Sequence, residues 1–257
     1  AVARTEDRML MLLERLDELE LREHDLRGDR GRLVADLVDR IDKCRDQLVS
    51  ADQYRAWADE RLAGAGSGGA AHRARREVEI ARVFQAHERW LAEDGREDFG
   101  LSIVRALDLL RAHPDRLEAA RAAARHVLVD EFQDTNHAQA ELLYLVAGGA
   151  DSLMVVGDDD QGIYRFRGAS AKNVADFRRR FSEAAELRLE VNHRSTQAIL
   201  DAASAVVAPI PDRAAKHIVA RDGAVGPDPR FWRAPDPDGQ ARAVTQEIVR
   251  MAEAGVP

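Results

Sequence analysis

Two neighbouring acids follow a short apolar run near the middle of the chain. The run His126-Val127-Leu128-Val129 is typical of a strand, and Asp130 and Glu131 come directly after it. Because adjacent residues leaving a strand diverge, one carboxylate can hold a magnesium ion while the other orients and deprotonates a water. Phosphoryl transfer needs both tasks, and Gln133 can donate and accept, which suits contact with a γ-phosphate. The alternative is that the two acids only cap the next helix, and this segment alone does not separate the two interpretations.

A second strand, predicted at Ser152–Gly157, ends in Asp158-Asp159-Asp160-Gln161 and then a run of rings and arginines. Tyr164 and Phe166 are two residues apart, so in an extended segment they face the same side. They could stack on consecutive bases of a single strand while Arg167 meets a phosphate. Alternatively, the rings fill a core, or the three aspartates bind a metal for nuclease chemistry. We rank the nuclease last because no further carboxylates lie nearby.

A third polar segment, Asn192-His193-Arg194-Ser195, follows an alternating pattern that predicts a strand over 187–191. Arg194 could reach across a cleft to stabilise charge developing on a γ-phosphate. His193 offers a flat face to a purine. By itself, a His-Arg pair is more often an exposed polar turn.

Helices are predicted throughout the first third of the chain. Apolar residues recur at three- and four-residue steps over 9–19 and again over 33–48. Ser50 and Gln53 fit a capping box that opens a third helix, and a fourth is predicted from about Arg73 to Glu93. Cys44, the single cysteine, lies on the apolar row of the second helix, which predicts a buried thiol and excludes a disulfide within one chain.

The stretch Gly64-Ala65-Gly66-Ser67-Gly68-Gly69 spells the dinucleotide-binding pattern GxGxxG. That pattern has meaning only between a strand and a helix, where its glycines let the backbone approach a pyrophosphate. No strand is predicted before it. We therefore interpret the stretch as a flexible surface loop.

From about Phe99 the chain alternates helices and strands. Helices are predicted over 101–110, 117–125, 138–146, 173–181 and 240–254, with a late strand at Phe231-Trp232. A strand, a crossover helix and a second strand in that order predict parallel pairing in an α/β sheet. In such sheets ligands bind at the carboxyl ends of strands, which is where the acids and arginines lie.

Composition narrows the class of protein. Charged residues make up 33% of the 257 residues and no apolar run approaches the length of a membrane span, so we expect a soluble, cytoplasmic protein without a membrane partner. A formal net charge of -8 argues against a generally basic nucleic-acid coat. It leaves room for a local groove that grips one strand.

Three segments together resemble the UvrD/Rep family of superfamily 1 DNA helicases. HVLVDEFQDTN resembles motif II of that family, VVGDDDQGIYRFRGAS resembles motif III and LRLEVNHRST resembles motif IV, in the family's order and spacing. The resemblance implies a partial RecA-like parallel sheet of the P-loop NTPase type, with ATP and Mg²⁺ as cofactors. It also implies an inserted helical subdomain over 1–97, part of the first RecA-like domain over 98–184 and the beginning of the second over 185–257.

The resemblance also implies roles residue by residue. Asp130 would hold Mg²⁺, Glu131 would be the general base and Gln161 would contact the γ-phosphate. Arg194 would be an arginine finger and His193 would lie against the adenine. Tyr164, Phe166 and Arg167 would contact single-stranded DNA.

Three residues depart from the family pattern. His193 stands where the family commonly has tyrosine, Phe166 where it commonly has tryptophan, and Gly162 where serine is usual. The first two keep a planar ring, so we expect them to tune contacts without abolishing them.

No GxxxxGK[ST] phosphate loop occurs in the sequence, and none of the lysines Lys43, Lys172 and Lys216 follows a glycine loop. We therefore expect an internal portion of a larger helicase that moves 3′ to 5′ on single-stranded DNA and acts in repair or recombination. Its partners would be single-stranded DNA, single-strand/duplex junctions and, in some relatives, a helicase or nuclease subunit. The alternative is a non-enzymatic DNA- or partner-binding module that has lost its ATPase.

Overall fold

The computed structural model describes residues 1–162, 171–210 and 216–255. These residues form a mostly helical, mixed structure with three two-stranded parallel sheets. The chain divides into two compact units, Ala1–Ala184 and Ala185–Pro257. No helix among the described residues is both long enough and apolar enough to cross a lipid bilayer.

Helices dominate the first unit. Its α-helices are α1 (Thr5–Glu14), α2 (Arg30–Asp46), α3 (Ala51–Ala63), α4 (Gly69–Glu93), α5 (Phe99–Ala112), α6 (Pro114–Ala123), α7 (His137–Ala147) and α8 (Ala171–Arg180), and its strands are β1 (Val2–Ala3), β2 (Glu97–Asp98), β3 (His126–Val129) and β4 (Ser152–Val155). In the second unit the elements are β5 (Val191–Asn192), α9 (Gln197–Val207), β6 (Val219–Ala220) and α10 (Pro237–Glu253).

The helices predicted from apolar periodicity are confirmed. Helices α1 to α4 pack their apolar rows into one core, which includes Leu12, Ile41 and Phe84. The capping box at the start of α3 is present: the Gln53 amide donates to Ser50 Oγ, and the Gln53 side chain accepts from the Ser50 amide. The buried thiol is also confirmed, and burial raises the pKa of Cys44 to about 11.

The glycine-rich stretch lies between two helices. Helix α3 precedes it, and α4 begins at Gly69, four residues before the predicted start. The strand-turn-helix context of a dinucleotide site is therefore missing here, as the sequence predicted.

Strands β3 and β4 pair in parallel, with Val129 opposite Val155. The prediction of parallel pairing through a crossover helix is confirmed, and α7 is that crossover. One face of this pair is open to solvent, with Leu128 73% and Met154 50% exposed. The other face, with Val129 and Val155, packs against the apolar side of α7 and α8.

Two strand predictions in the second unit are wrong. Of the 187–191 pattern only Val191 is in a strand, which continues to Asn192, and Leu189 is 91% exposed. Phe231-Trp232 has no regular structure. A strand exists only where a neighbour completes its backbone hydrogen bonds, and β6 offers β5 just two residues.

Candidate functional site

The carboxyl ends of β3 and β4 lie side by side in the first unit. Beyond the last pair of the ladder, the Val156 amide donates to Val129 O at 2.7 Å and the Phe132 amide donates to Val156 O at 2.9 Å. Asp130 and Glu131 therefore leave the sheet next to Gly157 and Asp158. These two bonds place both acidic segments at the same edge of the sheet, as parallel pairing of the two strands requires.

Glu131 adopts the left-handed conformation, with φ 52° and ψ 41°. That region is costly for a residue with a side chain, and such strain is concentrated at functional sites. The Glu131 amide donates to Asp130 Oδ1 at 2.9 Å, and both carboxylates are exposed. Two adjacent acids thus face solvent from a backbone that the surrounding structure must hold in place.

Gln133 joins the two strand ends. Its side chain is buried, its Nε2 donates to Glu131 Oε2 at 2.6 Å, and its Oε1 accepts from the Asp158 amide at 3.0 Å. A Cβ at Gly157 would lie 2.7 Å from Gln133 Oε1, so only glycine lets the second loop approach this closely. Both ends of the Gln133 amide are therefore used within the protein.

The hydrogen bonds continue from Asp158 to Gln161. Asp158 Oδ2 accepts from Gln161 Nε2 at 2.7 Å, and Asp158 Oδ1 accepts from the Asp160 amide at 3.1 Å. Asp158 thereby shapes the 3₁₀ turn that carries Gln161. Glu131, Gln133, Asp158 and Gln161 form one continuous chain of side-chain and backbone hydrogen bonds.

Carboxylate oxygens of Asp158, Asp159 and Asp160 lie within 4.8 Å of one another. Oxygen ligands of this kind suit a hard divalent ion, as do the exposed oxygens of Asp130. Asp158 already accepts two hydrogen bonds.

Helices α7 and α8 support the acidic segment from behind. Phe132 is 2% exposed, and its ring lies 5.6 Å from that of Phe177 on α8. Asn173, also on α8, donates to Thr135 O at 2.8 Å. The turn between Glu131 and α7 is therefore anchored through both its side chains and its backbone.

Sequence reasoning missed the supporting residues Asn136, Asn173 and Gly157. Asn136 caps α7 in a capping box with Gln139, which the Asn-x-x-Gln spacing could have indicated. Asn173 and Gly157 act on residues distant in the sequence, and no local pattern points to them.

The predicted DNA contacts Tyr164, Phe166 and Arg167 lie outside the described residues. In the second unit, Asn192 Oδ1 accepts from the amides of Arg194 and Ser195, at 2.9 Å and 2.7 Å. Both His193 and Arg194 are exposed, and His193 Nδ1 lies 3.4 Å from Arg221 Nη1. Asn192 therefore holds the turn that presents these two side chains.

A family model described as the UvrD/REP helicase N-terminal domain matches residues 3–182. The chain belongs to this helicase family. The match includes Asp130, Glu131, Gln133 and Gln161, whereas His193 and Arg194 lie beyond it.

The chain is also similar to several proteins that are named as DNA helicases. The chain is 39% identical over 185 residues to ATP-dependent DNA helicase UvrD1 of Mycobacterium bovis, covering 68% of this chain and 23% of the relative. It is 38% identical over 167 residues to DNA helicase II of Escherichia coli, with 65% and 23% covered. To ATP-dependent DNA helicase PcrA of Leuconostoc citreum it is 35% identical over 174 residues, with 68% and 23% covered. The chain thus spans about a quarter of the length of these UvrD/REP relatives.

Proposed function

We propose that the complete protein is an ATP-dependent DNA helicase that couples Mg-ATP hydrolysis to 3′ to 5′ movement on single-stranded DNA, in DNA repair or recombination. The observation that carries this proposal is the hydrogen-bonded chain from Glu131 through Gln133 and Asp158 to Gln161. It joins the two acidic strand ends into one unit, in a chain whose relatives are named DNA helicases.

In this proposal, residues 98–184 belong to a first RecA-like domain, 1–97 to an inserted helical subdomain and 185–257 to a second RecA-like domain. Sequence motifs support the assignment, and the family match supports its part within residues 3–182. The parallel pairing of β3 and β4 around α7 is compatible with it. Single-stranded DNA and its junctions with duplex are the proposed partners, together with a helicase or nuclease subunit.

Asp130 is the proposed magnesium ligand, because it is exposed and directly follows a strand end. Bound there, magnesium would neutralise charge on the phosphates. Glu131 is the proposed general base and Gln161 the proposed contact to the γ-phosphate. Since both ends of the Gln133 amide are occupied, Gln133 fits a role in orienting Glu131 better than one in direct phosphate contact.

Arg194 and His193 are the proposed arginine finger and adenine contact of the second unit. Exposure of both side chains, and a turn held by Asn192, support these roles. Tyr164, Phe166 and Arg167 remain the proposed contacts to single-stranded DNA, on sequence grounds.

Steady-state ATP hydrolysis by the complete protein, with and without single-stranded DNA, tests the proposal. We expect turnover that needs Mg²⁺ and rises with DNA. Strand displacement on substrates with a 3′ or a 5′ single-stranded tail then tests direction, and only the 3′ tail should support unwinding. DNA binding without ATP turnover would contradict the proposal and favour a non-enzymatic module.

A further inference from the structure

One hydrogen bond joins helix α2 to the segment 130–136, and its acceptor lies outside the three sequence motifs. Asn136 Nδ2, at the start of α7, donates a hydrogen bond to Asp46 Oδ1, at the end of α2. We propose that Asp46 is a positioning residue for ATP hydrolysis, acting through Asn136 to hold the turn that carries Glu131. This inference rests on the proposed function.

Three polar groups of Asn136 form hydrogen bonds. Its Oδ1 accepts from the Gln139 amide at 2.8 Å, its own amide donates to Gln139 Oε1 at 2.9 Å, and its Nδ2 donates to Asp46. Because Asn136 is only 9% exposed, loss of Asp46 would leave a buried donor without an acceptor. The side chain would then have to move, and the cap of α7 would move with it.

A single 3₁₀ turn separates Asn136 from Glu131. The Asp134 amide donates to Glu131 O at 2.9 Å, and Thr135 Oγ1 donates to Phe132 O at 2.7 Å. Glu131 itself is in the left-handed region, which persists only when its surroundings enforce it. The upstream end of the turn is held by the sheet. Its downstream end is held by Asn173, which donates to Thr135 O, and by Asp46 acting through Asn136.

Asp46 has no ion-pair partner among the described residues. The neighbouring Arg45 is used by Glu88 and Asp98 instead. Burial, with Asp42 and Asp39 on the same helix, raises the pKa of Asp46 to about 6 even though the Asn136 hydrogen bond opposes the shift. The Asp46 carboxylate supplies the acceptor for Asn136 Nδ2, and the amide oxygen of an asparagine can supply the same acceptor.

Three variants of the complete protein separate this role from general stability. Asp46→Ala removes the acceptor, Asp46→Asn keeps it, and Asp36→Ala removes an exposed carboxylate from the same helix. For Asp46→Ala we expect kcat of DNA-stimulated ATP hydrolysis to fall by about tenfold with KM for ATP unchanged within about twofold. Asp46→Asn and Asp36→Ala should stay within about twofold of wild type.

A fourth variant breaks the same hydrogen bond from the other side. Asn136→Ser keeps an oxygen that can cap α7 but lacks the Nδ2 donor, so it should reproduce the loss of kcat. Wild-type kcat in Asp46→Ala, or an equal loss in Asp46→Asn, would overturn the proposal.

Hydrogen-deuterium exchange gives a readout that does not depend on turnover. In Asp46→Ala, the amides of residues 131–136 should exchange faster, while those of α4 keep the wild-type rate. If the wild-type protein hydrolyses no ATP, the proposed function fails, and the exchange measurement still decides whether Asp46 holds the turn. Unchanged exchange over 131–136 would show that it does not.

Discussion

Glu131 combines an exposed carboxylate with a backbone conformation that side chains disfavour. Its carboxylate accepts from Gln133, its carbonyl accepts from the Asp134 amide, and its own amide donates to Asp130. These bonds determine where one carboxylate oxygen points before any substrate arrives. Placement of this kind lowers the reorganisation that a general base must undergo during reaction.

The first prediction concerns Glu131 as the general base. In the complete protein, Glu131→Gln removes the proposed proton acceptor but keeps the shape, so ATP turnover should fall by about a hundredfold or more with ATP binding retained. Nucleotide titration and steady-state hydrolysis measure the two effects. Wild-type turnover in this variant would remove Glu131 from the proposed role.

The second prediction concerns the close approach at Gly157. A Cβ added there would lie 2.7 Å from Gln133 Oε1, whereas the nearest described atom to a Cβ at Gly162 is Asp159 O at 3.5 Å. Gly157→Ala should therefore displace the Gln133 amide and lower kcat by about tenfold or more. Gly162→Ala is the matched control and should be much milder, as measured by ATP turnover. Equal kcat for the two variants would mean that the Gln133 bridge has no part in turnover.

At the scale of elements, a buried cluster of charges joins α1, α2, α4 and the start of α5. Arg8 donates to His87 Nε2 at 3.0 Å and pairs with Asp42 at 2.7 Å, while Arg45 pairs with Asp98 at 2.9 Å. Asp98, fully buried, also caps α5 by accepting from the Leu101 amide. The buried ion pair between Arg45 and Asp98 therefore attaches helix α2 to the start of α5.

The third prediction follows from the burial of Asp98. Asp98→Ala removes a carboxylate that faces two buried arginines, so the free energy of unfolding should fall by about 3 to 5 kcal/mol. Chemical denaturation of the 257-residue chain measures it. Asp94→Ala, at an exposed position four residues earlier, is the matched control and should change stability by less than about 0.5 kcal/mol. Similar losses of unfolding free energy in the two variants would contradict a stabilising role for the ionic contacts of Asp98.

The fourth prediction is a pH dependence set by His87. Burial, with Arg8 and Arg45 nearby, lowers the pKa of His87 to about 2 from an ordinary value near 6.5. Below pH 6.5 His87 therefore binds a proton in the unfolded chain but not in the folded chain. The free energy of unfolding should fall by up to about 1.4 kcal/mol for each pH unit of acidification.

The variant His87→Gln isolates this contribution. Glutamine can accept from Arg8 but does not titrate, so its stability should change less than that of wild type between pH 6.5 and 4.5. The comparison is needed because Asp46, whose pKa is raised to about 6, contributes in the opposite direction: its burial destabilises the fold at neutral pH and ceases to do so on acidification. Parallel pH profiles for the two proteins would contradict a buried neutral His87.

At the scale of the whole molecule, the chain's net charge of -8 means that the proposed DNA binding depends on a local contact surface. Long-range attraction of a polyanion to a chain of this charge is weak, so in the proposed binding mode stacking on aromatic rings supplies much of the affinity. The candidates are Tyr164 and Phe166, which the structure does not describe.

The fifth prediction tests that stacking. Phe166→Ala in the complete protein should weaken single-strand affinity by about 1 to 3 kcal/mol, with little change in the salt dependence of binding. Phe231→Ala, at an 86% exposed ring for which no DNA contact is proposed, is the control. Fluorescence anisotropy with a labelled oligonucleotide at several salt concentrations measures both quantities. Unchanged affinity in Phe166→Ala would exclude this ring from the DNA contact.

The sequence by itself determined most of the helices and the position of the acidic segments. Helix patterns are local properties of the sequence, and they placed α2 to α8 and α10 within a few residues. The 9–19 pattern was less accurate, because α1 ends at Glu14 and residues 16–19 form a separate 3₁₀ turn. Strand prediction was correct for β3 and β4, which have each other as neighbours, and wrong at 231–232, where no strand among the described residues pairs. Which strand face is covered also stayed hidden, since Leu128 and Val129 are equally apolar but differ in what packs on them.

Only the tertiary structure decided how the candidate site is held. The bond from Asp46 to Asn136 spans 90 positions and that from Asp158 to Gln133 spans 25, and nothing in either local sequence marks its partner. The left-handed Glu131 is likewise a consequence of its surroundings, because isolated glutamate disfavours that conformation. The sequence identifies the residues that can carry chemistry. Their orientation depends on contacts that form only after distant segments have packed together.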